Sequence, residues 1–199
     1  MKTCDFIRFS ITIFDYSEIE KFTESIREIF KKDFETGIAS LEKNWPKIDM
    51  YFHPAIGGSI VKQCTFWKTA LYPTKIFFTS LVGDGWFTLC NVLHLHLHCD
   101  YIQCIFSKEK DSPEFLFHYG GTDGRERDIL TYKDPRWVFY EEGEPLDFED
   151  LDLYKNRLIR DRLNDKILIK YIERMGVDFE KIDEEVTDSY TFVLGFSPD

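Results

Sequence analysis

The first patterns along the chain are an alternation of apolar and polar positions and then a helical period. Residues 4–14 alternate and are rich in Phe and Ile, which predicts a first β-strand. Apolar residues then recur at spacings of three and four as far as Pro46, which predicts one long amphipathic helix. Gly37 lowers helix propensity by about 1 kcal/mol relative to alanine and allows a break there. The apolar positions of this pattern are Ile19, Phe22, Ile26, Ile29, Phe30, Phe34, Ile38, Leu41 and Trp45.

The middle of the chain gives less regular patterns. Residues 47–73 are punctuated by Pro and Gly, which predicts an irregular connection with one short helix, and residues 74–82 predict a strand. Residues 86–98 fit two patterns. In a helix, the apolar side chains form one stripe and Asp84 caps the N-terminus. In a strand, three histidines would lie on one face. The helix is favoured because its stripe is longer and has a cap. The stripe consists of Trp86, Leu89, Cys90, Leu93 and Leu97.

The second half predicts a meander followed by helices. Four short runs rich in β-branched and aromatic residues are separated by turn residues, which is typical of antiparallel strands. A helical period from Leu163 to Met175 has Asn164 as a cap and Gly176 at its end, and residues 190–196 predict a last strand. The predicted fold is α/β (mixed α+β), a single domain over 1–199: an antiparallel β-meander with a long N-terminal helix and C-terminal helices packed on it. The four runs cover residues 101–106, 114–119, 125–132 and 136–140.

Composition narrows the class of protein. The chain has 199 residues, of which 43% are hydrophobic and 17% aromatic, enough for a packed core. Its net charge of −11 argues against general nucleic-acid binding. It contains no apolar run long enough to cross a bilayer, and its five cysteines are odd in number with no C-x-x-C pair. A cytoplasmic protein with reduced thiols and no membrane partner is therefore expected.

The negative charge is concentrated near the C-terminus. Residues 141–152 contain seven acids and no base, residues 155–174 contain seven bases and three acids, and residues 178–188 contain six acids and one base. The first acidic stretch could bind a basic protein partner. It could equally be satisfied inside the molecule by the basic segment, with the surplus keeping the protein dissolved. The candidate partner-binding residues are Glu141, Glu142, Glu144, Asp147, Glu149, Asp150 and Asp152.

Two patterns could carry chemistry. On a strand, His94, His96 and His98 would lie about 7 Å apart on one face and form part of a zinc site. On the favoured helix only His94 and His98 share a face, so we predict no metal site, no catalytic residue and no cofactor. Cys90 lies one helical turn from His94, but its place on the apolar stripe favours a buried core cysteine. The alternative function is a metal-dependent or thiol enzyme that uses these histidines with Cys90 or Cys99.

One part of the sequence resembles a known class of proteins. Residues 136–149 read RWVFYEEGEPLDFE, and they are followed by Tyr154, by IRDRL at 159–163, by Tyr171 and by MGV at 175–177. This last third of the chain resembles segments of small bacterial immunity proteins, which protect a cell from polymorphic or contact-delivered (contact-dependent inhibition) toxins. The resemblance implies a cytoplasmic, acidic, non-enzymatic protein of mixed fold that binds a cognate toxin domain tightly. It transfers no individual contact residue.

These observations lead to one functional hypothesis. We expect a non-enzymatic, cytoplasmic immunity protein that neutralises a cognate bacterial toxin by tight, electrostatically steered binding. Its partner would be a basic protein, with neither nucleic acid nor membrane involved. Formation of a homodimer through exposed aromatic residues is left open by the sequence.

Overall fold

A computed structural model describes residues 8–44, 62–107 and 109–195 of the chain. Its described strands form a single antiparallel sheet in the order β2-β9-β3-β4-β1-β5-β6-β7-β8. The strands are β1 (Arg8–Phe14), β2 (Ala39–Lys43), β3 (Lys62–Thr69), β4 (Ile76–Ser80), β5 (Tyr101–Ser107), β6 (Glu114–Gly120), β7 (Glu126–Lys133), β8 (Trp137–Glu142) and β9 (Val186–Leu194). The helices are α1 (Ile19–Ile29), α2 (Lys31–Glu35), α3 (Phe87–Leu97) and α4 (Asp165–Arg174). Short 3₁₀ turns occupy Leu153–Lys155, Ile159–Asp161 and Phe179–Lys181.

The predicted fold class is wrong, because the sheet dominates the molecule and the long N-terminal helix does not form. The helix ends at Ile29, a second short helix ends at Glu35, and Gly37 then adopts the left-handed region at φ +75°. The chain returns as the edge strand β2, in which Leu41 lies opposite Phe192 of β9. The helical spacing of Ile38 and Leu41 is thus overridden by pairing with a strand almost at the other end of the chain.

The irregular connection predicted over 47–73 is wrong for residues 62–69, whereas residues 70–73 are irregular as predicted. Residues 47–61 lie outside the described residues, and Lys62–Thr69 forms β3 between β9 and β4. Four consecutive residues of this strand, Cys64 to Trp67, are buried. A strand covered on both faces shows no alternation of apolar and polar residues, so its pattern could not reveal it.

Other predicted elements are present. The four runs predicted between 101 and 140 form β5 to β8, and strands are found at β1, β4 and β9. Residues 4–7 and 196 of the predicted first and last strands lie outside the described residues. The α4 helix begins as predicted: the Asn164 Oδ1 accepts the Ile167 N–H at 3.2 Å. Gly176, just beyond this helix, has φ +83°.

The two faces of the sheet carry separate hydrophobic cores. On one face, which we call the α4 core, Leu168 and Ile172 of α4 pack with strand residues such as Ile11, Phe117 and Ile129. On the other face lies the α1–α3 core. It joins helix residues such as Phe22 and Leu93 to strand residues such as Phe14, Phe78 and Phe192. Among the described helices, none is long and apolar enough to cross a bilayer.

Candidate functional site

The acidic stretch 141–152 begins on the edge strand β8 and continues across the end of the sheet. Glu141 and Glu142 close β8, and the residues after Gly143 form a turn that leads to the 3₁₀ turn at Leu153. Because β8 has a strand on one side only, this stretch lies at the margin of the sheet. One buried side chain of the neighbouring strand makes several of the contacts that hold this stretch.

That side chain is Arg127 of β7, which forms ion pairs with two of the acids. Its Nε and Nη2 donate to the Glu149 carboxylate at 2.9 and 2.7 Å, and Nη2 also donates to Glu141 Oε2 at 2.6 Å. The Arg127 side chain is 2% exposed and that of Glu149 is 0% exposed. Burial alone would lower the pKa of Arg127, but the hydrogen bonds to Glu149 and Glu141 outweigh burial and raise it.

Arg127 also ties the backbone of the stretch to β7. Its Nη1 donates to the carbonyl oxygens of Glu142 and Gly143, at 3.2 and 3.0 Å. The fork geometry of a guanidinium lets it bind several acceptors at fixed angles, which a lysine could not do. The turn after β8 is therefore fixed both through its side chains and through its backbone.

Two tyrosines complete the arrangement around Glu149. The Tyr154 hydroxyl donates to Glu149 Oε2 at 2.8 Å and lies 2.9 Å from the Tyr171 hydroxyl. Glu149 Oε1 accepts the Leu146 N–H at 2.8 Å. Burial raises the pKa of both tyrosines, so they remain protonated donors. We call the group Arg127, Glu141, Glu149, Tyr154 and Tyr171 the Arg127 clamp.

The clamp divides the seven candidate acids into inward and outward groups. The Glu149 side chain is withdrawn from solvent and paired with Arg127, so its assignment as a partner-binding residue is corrected: it holds the turn in place. Glu141 is 41% exposed but paired with Arg127, and Asp150 is half-buried. The remaining acids of the stretch are exposed. These outward acids are Glu142, Glu144, Asp147 and Asp152.

The basic segment 155–174 does not neutralise the buried part of the stretch. Arg162 donates from Nε to the Asn156 carbonyl at 2.9 Å, and Arg174 donates to the Phe148 carbonyl at 2.6 Å. Lys155 pairs with the exposed Asp152 at 2.8 Å, and this hydrogen bond lowers the pKa of Asp152. The internal neutralisation considered from the sequence thus occurs in part. Arg127 of β7 neutralises Glu141 and Glu149, and Lys155 of the basic segment pairs with only one of the outward acids, Asp152.

The three histidines lie on and just after α3, as the favoured helical pattern predicts. The His94 Nδ1–H donates to the Cys99 carbonyl at 2.6 Å. The His96 Nε2 lies 3.5 Å from Glu28 Oε2, and the backbone of His98, just after the helix, adopts the left-handed region. No group of three or more His, Cys, Asp or Glu within the described residues could hold a metal ion. The described arrangement therefore offers nothing in support of the metal-enzyme alternative.

The thiol alternative finds no nucleophile–base pair at Cys90. The Cys90 thiol is buried and lies 3.4 Å from the Thr12 hydroxyl, while the His94 Nδ1 is engaged with the Cys99 carbonyl. Burial raises the pKa of Cys90 to about 12. Such a thiol is protonated near neutral pH and a poor nucleophile.

Sequence reasoning missed Arg127 and a second buried group on the other face of β7. The His118 Nδ1–H donates to Asp128 Oδ1 at 2.7 Å, and its Nε2 accepts the Tyr101 hydroxyl at 2.9 Å. A signal for Arg127 was present in the sequence. Arg127 lies two residues before Ile129 on β7, so the two side chains point to the same face of the strand. A charged residue at this inward position requires a buried partner of opposite charge.

No protein-family model, no curated protein and no solved structure matches this chain.

Proposed function

We propose that this chain is a non-enzymatic binding protein that holds a basic protein partner on the outward acids of residues 141–152. The observation that carries the proposal is the Arg127 clamp. It withdraws the Glu149 side chain from solvent and fixes the backbone of the turn after β8 to the sheet. Four acids stay exposed at the end of β8 and along the segment that follows it: Glu142, Glu144, Asp147 and Asp152.

A fixed acidic turn suits recognition of a basic surface. Like charges held close together create a local potential that speeds the encounter with an oppositely charged protein. Because the turn is ordered before binding, little conformational entropy is lost when the partner docks. The clamp that holds the turn uses Glu141 and Glu149, and the outward acids are not part of it.

Within this class we propose an immunity protein that neutralises a bacterial toxin. Toxin domains that attack nucleic acids need a basic cleft for the phosphate backbone, and an acidic turn can occupy such a cleft. The resemblance of residues 136–177 to immunity proteins includes Glu141, Gly143 and Glu149, which the structure brings together around Arg127. A cytoplasmic location is part of this proposal.

The test uses the product of the neighbouring upstream gene as the partner. We expect it to arrest growth when expressed alone and to be neutralised when this chain is co-expressed. The variant Glu142→Gln/Glu144→Gln/Asp147→Asn/Asp152→Asn should associate with it about tenfold more slowly at low salt, and the difference should shrink as salt rises.

A matched variant controls for net charge. Glu20→Gln/Glu24→Gln/Glu35→Gln/Glu42→Gln removes equal charge from exposed positions on α1, α2 and the opposite edge strand β2. It should associate at close to the wild-type rate. Equal slowing by both variants, or an association rate that does not respond to salt, would contradict the proposed site.

A further inference from the structure

At one end of the sheet, a row of apolar side chains lies outside both hydrophobic cores. On β6, β7 and β8 the register sets Leu116 opposite Leu130 and Leu130 opposite Tyr140, so these three side chains form a row on the face that carries α1 and α3. Among the described residues, none of the three belongs to the α4 core or to the α1–α3 core. Tyr140 is 47% exposed and the two leucines are partly exposed.

The first turn of α3, one of the two helices on this face, lies beside the row. Phe87, at the start of α3, packs its ring edge-on against His118 with centroids 4.9 Å apart, and it is itself 38% exposed. Val138 of β8 lies opposite Tyr132 on the other side of the row. We call the apolar surface formed by Phe87, Leu116, Leu130, Val138 and Tyr140 the β6–β8 face.

Acidic side chains border the β6–β8 face. The next row of the sheet places Asp128 opposite Glu142, and Glu126 follows one row further along β7. Glu114 borders the opposite side, where it pairs with Arg8 at 2.8 Å. Glu142 is also one of the outward acids, and it accepts a hydrogen bond from the Tyr140 hydroxyl. The apolar row and the acidic stretch are therefore continuous.

We propose that the β6–β8 face is the apolar centre of the partner-binding surface, and that its occupant is a protein segment in which basic and apolar residues alternate. This inference rests on the proposed function and extends it, because acids alone steer a partner whereas buried aromatic and aliphatic anchors hold it. Because the residues that flank the β6–β8 face are acidic, a basic segment is the favoured occupant. A second copy of this chain would place acids against acids and is the less favourable occupant.

The probe for this inference is a short synthetic peptide that alternates lysine with leucine, compared with an equally charged peptide that alternates lysine with serine. Both are titrated, at concentrations where they are monomeric, into the full isotope-labelled chain and followed by NMR. The lysine–leucine peptide should bind about tenfold more tightly and shift the side-chain signals of Leu116, Leu130 and Tyr140.

Substitutions in the β6–β8 face distinguish binding through apolar contacts from binding through charge. Leu130→Ser/Tyr140→Ser should abolish the preference for the lysine–leucine peptide, and Tyr140→Ser alone should weaken it without removing a buried residue. Leu71→Ser, at an exposed leucine in the β3–β4 connection, should keep the preference.

The remaining outcomes overturn the inference in distinguishable ways. Equal binding of both peptides, with shifts confined to the outward acids, would remove the apolar centre and leave the proposed acidic site intact. Shifts of the β6–β8 face on self-association without peptide would assign it to a second copy instead. Binding of neither peptide would reject the inference, while the growth and rate experiments above would still decide the proposed function.

Discussion

Arg127 Nη2 donates a 2.7 Å hydrogen bond to Glu149 Oε2, and both side chains are withdrawn from solvent at the margin of the sheet. The two residues lie 22 positions apart, so the pair joins β7 to the turn that follows β8. The same acid that the sequence assigns to a binding surface therefore holds that surface in place.

Loss of the arginine should be costly. The variant Arg127→Met leaves the Glu149 carboxylate buried without its cationic partner, and we expect the free energy of unfolding to fall by about 3–5 kcal/mol in urea titration. The exposed pair of Arg125 and Asp123 offers the control, because Arg125→Ala should cost less than about 1 kcal/mol. Similar losses for both variants would mean that the clamp does not stabilise the turn.

Gly143 should be far less replaceable than Gly124. Both glycines have positive φ, +86° and +82°, but a Cβ at Gly143 would overlap with the Glu126 carbonyl oxygen, whereas the space around Gly124 is open. We expect Gly124→Ala to cost about 1–2 kcal/mol for its backbone conformation alone. Gly143→Ala should cost at least about 2 kcal/mol more, measured as the shift in urea midpoint, because backbone must move. Equal costs would show that the turn is not held against β7.

Stability should fall in acid partly through Asp100. Its carboxylate accepts hydrogen bonds from the Thr122 N–H and hydroxyl, both at 2.8 Å, and from the Tyr119 hydroxyl at 3.1 Å. Burial alone would raise the pKa of Asp100, but these hydrogen bonds outweigh it and lower the pKa. The stabilisation is thus present above the unfolded-state pKa of about 3.9 and is lost as the pH falls through the lower folded-state value.

The variant Asp100→Asn tests this dependence. It should lower the free energy of unfolding by about 1–2 kcal/mol at neutral pH, and the difference from wild type should shrink towards pH 2. Asp111→Asn, at an exposed position, is the control and should match wild type throughout. A difference that stays constant from neutral to acid pH would show that the ionised carboxylate is not what stabilises this turn.

The described cysteines should not react in the folded protein. Cys64, Cys90, Cys99 and Cys104 are buried, and burial raises the pKa of Cys90 and of Cys99 to about 12. In a Cys4→Ser background we expect no reaction with a disulfide reagent at pH 8 until denaturant is added, because at that pH only about one such thiol in ten thousand is ionised. Rapid labelling of Cys90 in the native state would revive the thiol-enzyme alternative.

The sequence predicted best where local pattern and tertiary structure agree. Strands β5 to β8 have short runs separated by turn residues, and α4 has a strong apolar stripe with Asn164 as its cap. It failed at β2 and β3. At β2 the helical spacing is overridden because this segment pairs with β9, where Leu41 lies opposite Phe192. At β3 the strand around Phe66 is buried on both faces and so shows no alternation of apolar and polar residues.

The candidate site was predicted in part for a similar reason. The number of acidic residues along the chain identified the stretch 141–152. It could not show that the Glu149 side chain is buried and that Asp147 is exposed, because the burial of Glu149 depends on its ion pair with Arg127 of another strand. The apolar row of Leu116, Leu130 and Tyr140 depends on the register across three strands, which single-strand patterns do not contain.

Zero-length cross-linking of carboxylates to lysines tests whether the outward acids contact a basic partner. The full chain is mixed with the product of the neighbouring gene, coupled with a carbodiimide, and the linked peptides are identified by mass spectrometry. We predict links from partner lysines to Glu142, Glu144, Asp147 or Asp152. Links confined to Glu20, Glu24 or Glu42, on α1 and at the far edge of the sheet, would show that the partner binds elsewhere.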